Sequence, residues 1–430
     1  MRPDSTLSRS NLLAAAALAT IFACQPDADP ARFVGPIAAS RGGVPSGVPS
    51  IVGVASPAWQ GTAATLVMQA NLPAVVAARA YSLVGVAQYL AVRQAEGAKG
   101  RGGEVERGGG SSHESDRGAV VGASVVVLSY LFPLQAQGLE DMVTPYRDAG
   151  SGRAQRAFAR GEAIGRAAGA EIVTRARADG FATPFAGTIP LGAGFWFSEA
   201  NPPSVAGGSL AGVRPWFLTS ASQFRSAPPP AFGSTAFQAE LAEIRAISDT
   251  RTPAQVQIAA SWAQGVGTPT TPGLWLQIAT DGITRHGFSE RRATHLYALL
   301  SATMFDAQIG CWDAKETYWL VRPWQADHAI TVVAAVGKPN HPSYPSGHSC
   351  ISASAAAVLS AFFPAQRAQL DAMVIEAGLS RMYGGIHYRS DIEAGQQLGR
   401  RVAHFTIAAD RSGHSVLSRH DEEEEGDGPR

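Results

Sequence analysis

The sequence predicts an all-α fold of two related helical bundles, with any chemistry confined to the second. Three observations predict it. Long alanine-rich segments carry apolar residues at helical spacing, no run of residues alternates in the manner of a strand, and one stretch of the chain repeats another. The repeat is explicit: VLSYLFPLQAQGLEDMV at 127–143 aligns without gaps on VLSAFFPAQRAQLDAMV at 358–374, with nine of seventeen positions identical at an offset of 231 residues. Glu162-Ala163 and Glu393-Ala394 keep that offset, so the 430-residue chain reads as two copies of one bundle.

Residues 1–24 place Arg2 and Arg9 ahead of an apolar run from Leu12 to Ala23, the shape of an export signal peptide too short to span a bilayer. The run stops at Cys24 in the context Ile21-Phe22-Ala23-Cys24, which resembles a bacterial lipoprotein cleavage box except at Phe22. Lipidation at Cys24 and removal by ordinary signal peptidase are the two readings. Either way the chain is expected to be exported by a bacterium, to the periplasm or to a membrane anchor. Residues 25–56, rich in Pro, Gly, Ala and Ser, read as a flexible linker.

The first bundle spans 57–200, with helical segments at 61–96, 119–145 and 153–179. Between the first two lies GAKGRGGEVERGGGSSHESDRG at 97–118, polar and glycine-rich enough to read as a long exposed loop. The longest later uncharged run, Gly118 to Leu139, is interrupted by Pro133 and reads as a core helix, so the chain without residues 1–24 is expected to be soluble. Residues 201–250 read as connecting loops with one helix at 234–247. The second bundle spans 251–410, with helical segments at 253–265, 289–320, 348–362, 365–384 and 388–409. Residues 411–430 read as a disordered acidic tail whose charge run needs no functional meaning.

Lys and Arg number 35, and so do Asp and Glu; without a basic stripe, nucleic acid is excluded as the expected partner in favour of a small molecule. Cys311 and Cys350 can be two buried thiols or a disulfide in an oxidising compartment.

Three polar clusters lie close together in the second copy. Lys315 and Arg322 stand seven residues apart, the spacing of one helix face; Pro345-Ser346-Gly347-His348 is a turn feeding a helix start; and Ser380-Arg381 is followed by His387 and Asp391, one helical turn apart. Each has a bland alternative: a solvated face, a helix cap, a surface ion pair. Together they supply two guanidinium groups, an ammonium, a hydroxyl and a helix-start N–H, the donors a tetrahedral oxyanion needs. Two histidines beside it suit a ligand or nucleophile and an acid/base, with Asp391 orienting His387. At the offset of 231, the first copy has Ser115-Asp116-Arg117, Gly150 and Arg156 at the positions of Ser346-Gly347-His348, Arg381 and His387, so it lacks this set.

Lys315-x6-Arg322-Pro323, Pro345-Ser346-Gly347-His348 and Ser380-Arg381-x5-His387-x3-Asp391 resemble the three-part signature of the type 2 phosphatidic-acid phosphatase and vanadium-dependent haloperoxidase superfamily. Pro73 to Arg79, Pro215-Trp216-Phe217, Gln223 to Arg225, Arg251-Thr252, Trp262 and Trp275 extend the likeness to the two-bundle haloperoxidase branch, over about residues 57–410. The resemblance implies an enzyme that binds vanadate through Lys315, Arg322, Ser346, Gly347 and Arg381, with His387 as the metal ligand, His348 as acid/base and Lys315 polarising bound peroxide. Hydrogen peroxide and halide would then be the substrates. The alternative in the same pocket is an acid phosphatase, with phosphate in the vanadate position and a phosphomonoester cleaved through a phosphohistidine at His387. Trp312 and His341 would flank the pocket, a pair that leaves halide preference open. Only 32 residues separate His348 from Arg381, a compactness closer to the acid phosphatases.

Overall fold

The computed structural model describes residues 53–101 and 109–418. The signal segment, Cys24, almost all of the linker and the acidic run near the end lie outside the described residues. The helices in chain order are α1 (Ser56–Gln69), α2 (Ala74–Arg101), α3 (Gly109–Leu131), α4 (Ala136–Asp141), α5 (Thr144–Asp148) and α6 (Gly152–Arg177) in the first copy. A layer of loops with α7 (Thr235–Thr250) and α8 (Pro253–Ser261) follows. The second copy comprises α9 (Thr270–His286), α10 (Glu290–Tyr318), the short α11 (Pro323–Ala326), α12 (Gly347–Phe362), α13 (Arg367–Tyr383) and α14 (Arg389–Arg411). Among the described residues no sheet forms, and the isolated bridge Phe195–Leu320 is the one β-type pairing.

Helix limits follow local chemistry. Pro73 interrupts the expected 61–96 segment, because a proline ring cannot continue a helix without losing a hydrogen bond. Thr252 caps α8 in a box with Gln255, Ser234 caps α7 and Ser289 caps α10. Gly287, left-handed at φ 59°, closes α9. Trp319 closes α10 in the same conformation at φ 49°, a strain of about 1–2 kcal/mol for a non-glycine residue. Packing against Trp196 and Phe185 holds it there.

The duplication is visible in the backbone. Phe132 and Phe363 adopt nearly the same dihedrals, φ −129° and −127°, ψ 68° and 66°, each opening a Pro-led 3₁₀ turn. Helix contacts correct the alignment further on. Gly161 and Gly165 of α6 lie against the carbonyls of Ser115 and Ala119, as Gly395 and Gly399 of α14 lie against those of Ser346 and Cys350. The first pair of helices therefore keeps the offset of 231, whereas α6 and α14 correspond at 234, because the connection before α6 is three residues shorter. His387 corresponds to Arg153 rather than Arg156, and the Glu162–Glu393 match is coincidental.

The reading of 97–118 as an exposed loop is also corrected at both ends, while its middle, 102–108, lies outside the described residues. Helix α2 continues to Arg101 and α3 begins at Gly109, with Ser115 and Asp116 buried. Small residues there allow α3 to approach α6 within backbone contact, a role that glycine content alone does not distinguish from looseness. Part of the expected tail is likewise packed: Leu417 is buried and its carbonyl accepts from Arg93 Nη1 at 2.5 Å. Helix α2 is apolar and long enough over Ala74–Ala98 to cross a membrane, but its most apolar window is buried by its neighbours and lies in the core.

One hydrophobic cluster runs through both copies, from Trp59, Tyr81 and Val84 through Val120 and Leu128 to Leu296, Leu300, Val358 and Leu398. A smaller cluster of Phe237, Ile244, Leu320, Val321, Tyr344, Met382 and Tyr388 packs beneath the polar residues of the second copy.

Candidate active site

Lys315, Arg322, His341, Ser346, Gly347, His348, Arg381, His387 and Asp391 converge at one end of the second copy. Lys315 lies in the last turn of α10. Arg322 does not share its helix face, since α10 has ended and the chain runs extended through Leu320 and Val321. The bridge from Phe195 to Leu320, with the bonds Trp196 N–H to Trp319 O (2.7 Å) and Val321 N–H to Gly194 O (3.0 Å), fixes that strand-like segment.

His387 precedes α14, and Asp391 sits in its first turn. His387 Nδ1 is 2.8 Å from Asp391 Oδ2, which also accepts from Tyr388 N–H at 3.0 Å and from Ser343 Oγ at 2.5 Å. The Asp391 main-chain carbonyl accepts from Ser346 N–H at 2.9 Å, so one residue ties the histidine to the PSGH turn. A carboxylate at Nδ1 puts the proton there and leaves Nε2 as the lone-pair nitrogen. Arg322 Nη1 accordingly donates to His387 Nε2 at 3.1 Å and to Ile386 O at 2.6 Å, while its Nε and Nη2 reach His341 O and His341 Nδ1, each at 3.0 Å.

Ser346 caps α12, its Oγ accepting from Ser349 N–H at 3.4 Å. The first N–H groups of α12 have no intrahelical partners and offer a positive helix end. Arg381 donates from Nη2 to Ala259 O at 2.9 Å and from Nε to Ser380 Oγ at 2.9 Å. His348 Nε2 lies 2.9 Å from Trp262 O.

Lys315 departs from the expected anion-facing role. Its Nζ donates to the carbonyls of Pro342, Ser343 and Pro345 at 2.7, 2.9 and 2.6 Å, so all three donors hold the turn ahead of α12. It contributes charge behind the site and meets an anion only by exchanging one of these bonds. The expected pocket-flanking residues Trp312 and His341 lie with ring centroids 5.1 Å apart, the Trp312 ring facing Gly347 and its Nε1 donating to Ala206 O at 2.9 Å. Cys311 and Cys350 are free and buried.

Burial dominates the electrostatics. Lys315 and Arg322 are 0% exposed and Arg381 is 1%, against one carboxylate, Asp391, also 0% exposed. Burial, then the Arg322 charge, pushes Arg381 down to about 9, and burial pushes Lys315 down to about 8. The imidazoles of His341, His348 and His387 fall well below the ordinary histidine range, first by burial and then by the neighbouring cations. Burial raises Asp391 to about 6. A buried cluster with more cations than carboxylates is unfavourable by itself and is relieved by a bound anion.

Sequence reasoning missed Ser343, which stands inside HPSYPSGH as a donor to Asp391, and the carbonyls of Ala259, Trp262 and Ile386. The serine was in plain view; main-chain carbonyls leave no residue signature. Other residues that carried the resemblance are structural: Arg79 pairs with Asp179 at 2.7 Å, and the N–H groups of Trp216, Phe217 and Leu218 all bond the buried Asp306 carboxylate. Arg225 pairs with Asp313 at 2.6 Å.

Residues 294–412 match the family model described as PAP2 superfamily. Among solved structures, a bacterial vanadium-dependent iodoperoxidase is similar with a TM-score of 0.68 at 24% identity, over 85% of this chain and 98% of that one. A bacterial vanadium-dependent chloroperoxidase in its holo form is similar with a TM-score of 0.62 at 14% identity, over 80% and 92%. Residues 294–412, most of the second bundle, thus match the PAP2 superfamily model, within a chain whose two-bundle fold is similar to that of the vanadium-dependent haloperoxidases.

Proposed function

We propose that the chain binds vanadate in this pocket and oxidises halide with hydrogen peroxide, releasing hypohalous acid. The observation that carries the reading is the buried excess of positive charge around a histidine whose Nε2 lone pair is presented by Asp391. The donor set fits a tetrahedral oxyanion: Arg322, Arg381, Ser346 and the start of α12 would hold its oxygens, and His387 Nε2 would ligate the metal. When bound, vanadate supplies a Lewis-acidic centre that activates peroxide without changing oxidation state. Asp391 keeps the His387 proton on Nδ1 and stabilises the ring's orientation. Arg322 exchanges its bond to His387 Nε2 for one to the anion. The arginines neutralise negative charge in a site from which water is largely excluded, where such contacts are strongest. His348 takes up and returns protons as peroxide enters and product leaves.

Phosphomonoester hydrolysis is the second reading. The PAP2 match and the direct α12–α13 connection favour it, and His387 Nε2 would be the nucleophile. One experiment tests both: the purified protein, with and without added vanadate, is assayed in parallel for peroxide-dependent bromination of a dye and for hydrolysis of an aryl phosphate. Bromination only with vanadate supports the proposal. Hydrolysis that vanadate inhibits, without bromination, replaces it with the second reading. His387→Ala is expected to abolish whichever activity is present.

A further inference from the structure

The last turn of α8 touches two of the site's charged or titratable side chains through its main chain. Ala259 O accepts from Arg381 Nη2 at 2.9 Å, and Trp262 O lies 2.9 Å from His348 Nε2. Carbonyls at a helix end lack intrahelical donors and carry the negative end of the dipole, so they orient cationic and N–H groups well. The turn is locked from two sides. Buried Trp262 donates from Nε1 to Glu376 Oε1 on α13 at 2.8 Å, the helix that also carries Arg381. Its ring packs on Trp275 at 6.3 Å, and Trp275 Nε1 donates to Ser352 Oγ at 3.1 Å on α12, the helix that carries His348.

A carbonyl oxygen can only accept. His348 must therefore carry its proton on Nε2, which leaves Nδ1 as the nitrogen with the lone pair. His387 is the reverse: the Asp391 carboxylate requires the proton on Nδ1, and Arg322 donates to Nε2.

We propose that the C-terminal turn of α8, clamped by Trp262 and Glu376, is a positioning element that fixes His348 in the Nε2–H form and aims Arg381, so that Nδ1 of His348 is the atom that exchanges protons at the site. Trp262 and Glu376 touch no reacting atom; they act through the two carbonyls. The inference rests on the site assignment above, but its test does not require turnover.

The test is imidazole ¹⁵N NMR of the full chain labelled in histidine, free of ligand, with His348→Gln and His387→Gln identifying the two signals. The expected spectrum shows His348 as Nε2–H and His387 as Nδ1–H. Glu376 is exposed, so Glu376→Ala leaves the core intact. In that variant His348 is expected to become a mixture of tautomers and the dissociation constant for molybdate, a tetrahedral dianion, to rise about three- to tenfold, the effect of losing one hydrogen bond. Glu376→Gln keeps an oxygen acceptor for the indole N–H and should restore both parent values. A parent His348 protonated on Nδ1 would overturn the proposal, as would an unchanged tautomer and molybdate affinity in both Glu376→Ala and Trp262→Phe. If the tautomers are as stated and no halide is oxidised, the inference stands and the proposed reaction falls.

Discussion

Lys315 is fully buried, and burial pushes its pKa from 10.5 to about 8 while its three donors rest on the carbonyls of Pro342, Ser343 and Pro345. The folded chain thus gives up this proton before the unfolded chain does. Between about 8 and 10.5 the unfolded state binds more protons, so this group's contribution to stability rises with pH across that window and is lost as pH falls through 8. Anion affinity runs the other way, because the ammonium charge behind the PSGH turn disappears above the same pKa. Molybdate keeps its charge over this range, so a change in its affinity comes from the protein's own cations. Its dissociation constant by titration calorimetry is expected to rise at least about threefold from neutral pH to roughly one unit above the Lys315 pKa. Lys315→Met should bind more weakly at neutral pH and show a shallower profile, its remaining slope coming from Arg381, which burial pushes down to about 9; a variant that keeps the parent's slope would assign the titration elsewhere. The residue types and the close spacing of His387 with Asp391 made the chemistry of this site legible in the sequence. The use of Lys315 was not, since which acceptor meets an ammonium depends on carbonyls of a turn that the sequence names only as prolines and serines.

Pairs of helices in both copies meet through glycine. A side chain at Gly161 would strike the Ser115 carbonyl of α3, and one at Gly395 would strike the Ser346 carbonyl of α12. Adding a methyl group at either position must push two helices apart, an overpacking penalty of about 1–3 kcal/mol. Gly161→Ala and Gly395→Ala are therefore both expected to lower the urea midpoint by comparable amounts. Only Gly395→Ala should also weaken molybdate binding, because α14 carries Asp391 and α12 begins at the oxyanion turn. Equal loss of binding in Gly161→Ala would mean that the first copy takes part in the site. The helical class and the duplication were readable because seventeen aligned residues around Pro133 and Pro364 preserve a distinctive turn. The extent of α3 was not readable, since glycine and charge between 97 and 118 suit a loop as well as a close helix contact. The offset changed from 231 to 234 in a connection whose sequence carries no trace of the lost residues.

Across the whole molecule the two copies share a single interior. Helix α2 packs along α10, with Gly85 against the Tyr297 carbonyl, and the largest hydrophobic cluster passes through both without a break. Polar contacts cross the same boundary: buried Glu290 at the start of α10 accepts from the N–H groups of Ala55 and Ser56 at 2.5 and 2.9 Å, capping the first helix of the other copy. Arg93 of α2 holds Leu417 beyond α14. Neither copy could expose its half of this interface without losing burial on the scale that keeps a domain folded, so opening one should open both. The PAP2-like segment 294–412 would by this argument not be an independent folding unit, although it contains most of the site. Ligand binding then stabilises the chain as a whole: at molybdate concentrations about 100 times the dissociation constant, global protection should increase by about 2.7 kcal/mol. Hydrogen exchange measured by mass spectrometry can read this gain separately in peptides from α2 and α3 and in peptides from α10 and α12. The expected result is the same gain in both sets for amides that exchange only by global unfolding. A gain confined to α10 and α12 would show that the site-bearing copy unfolds on its own, and that the shared core does not couple the two.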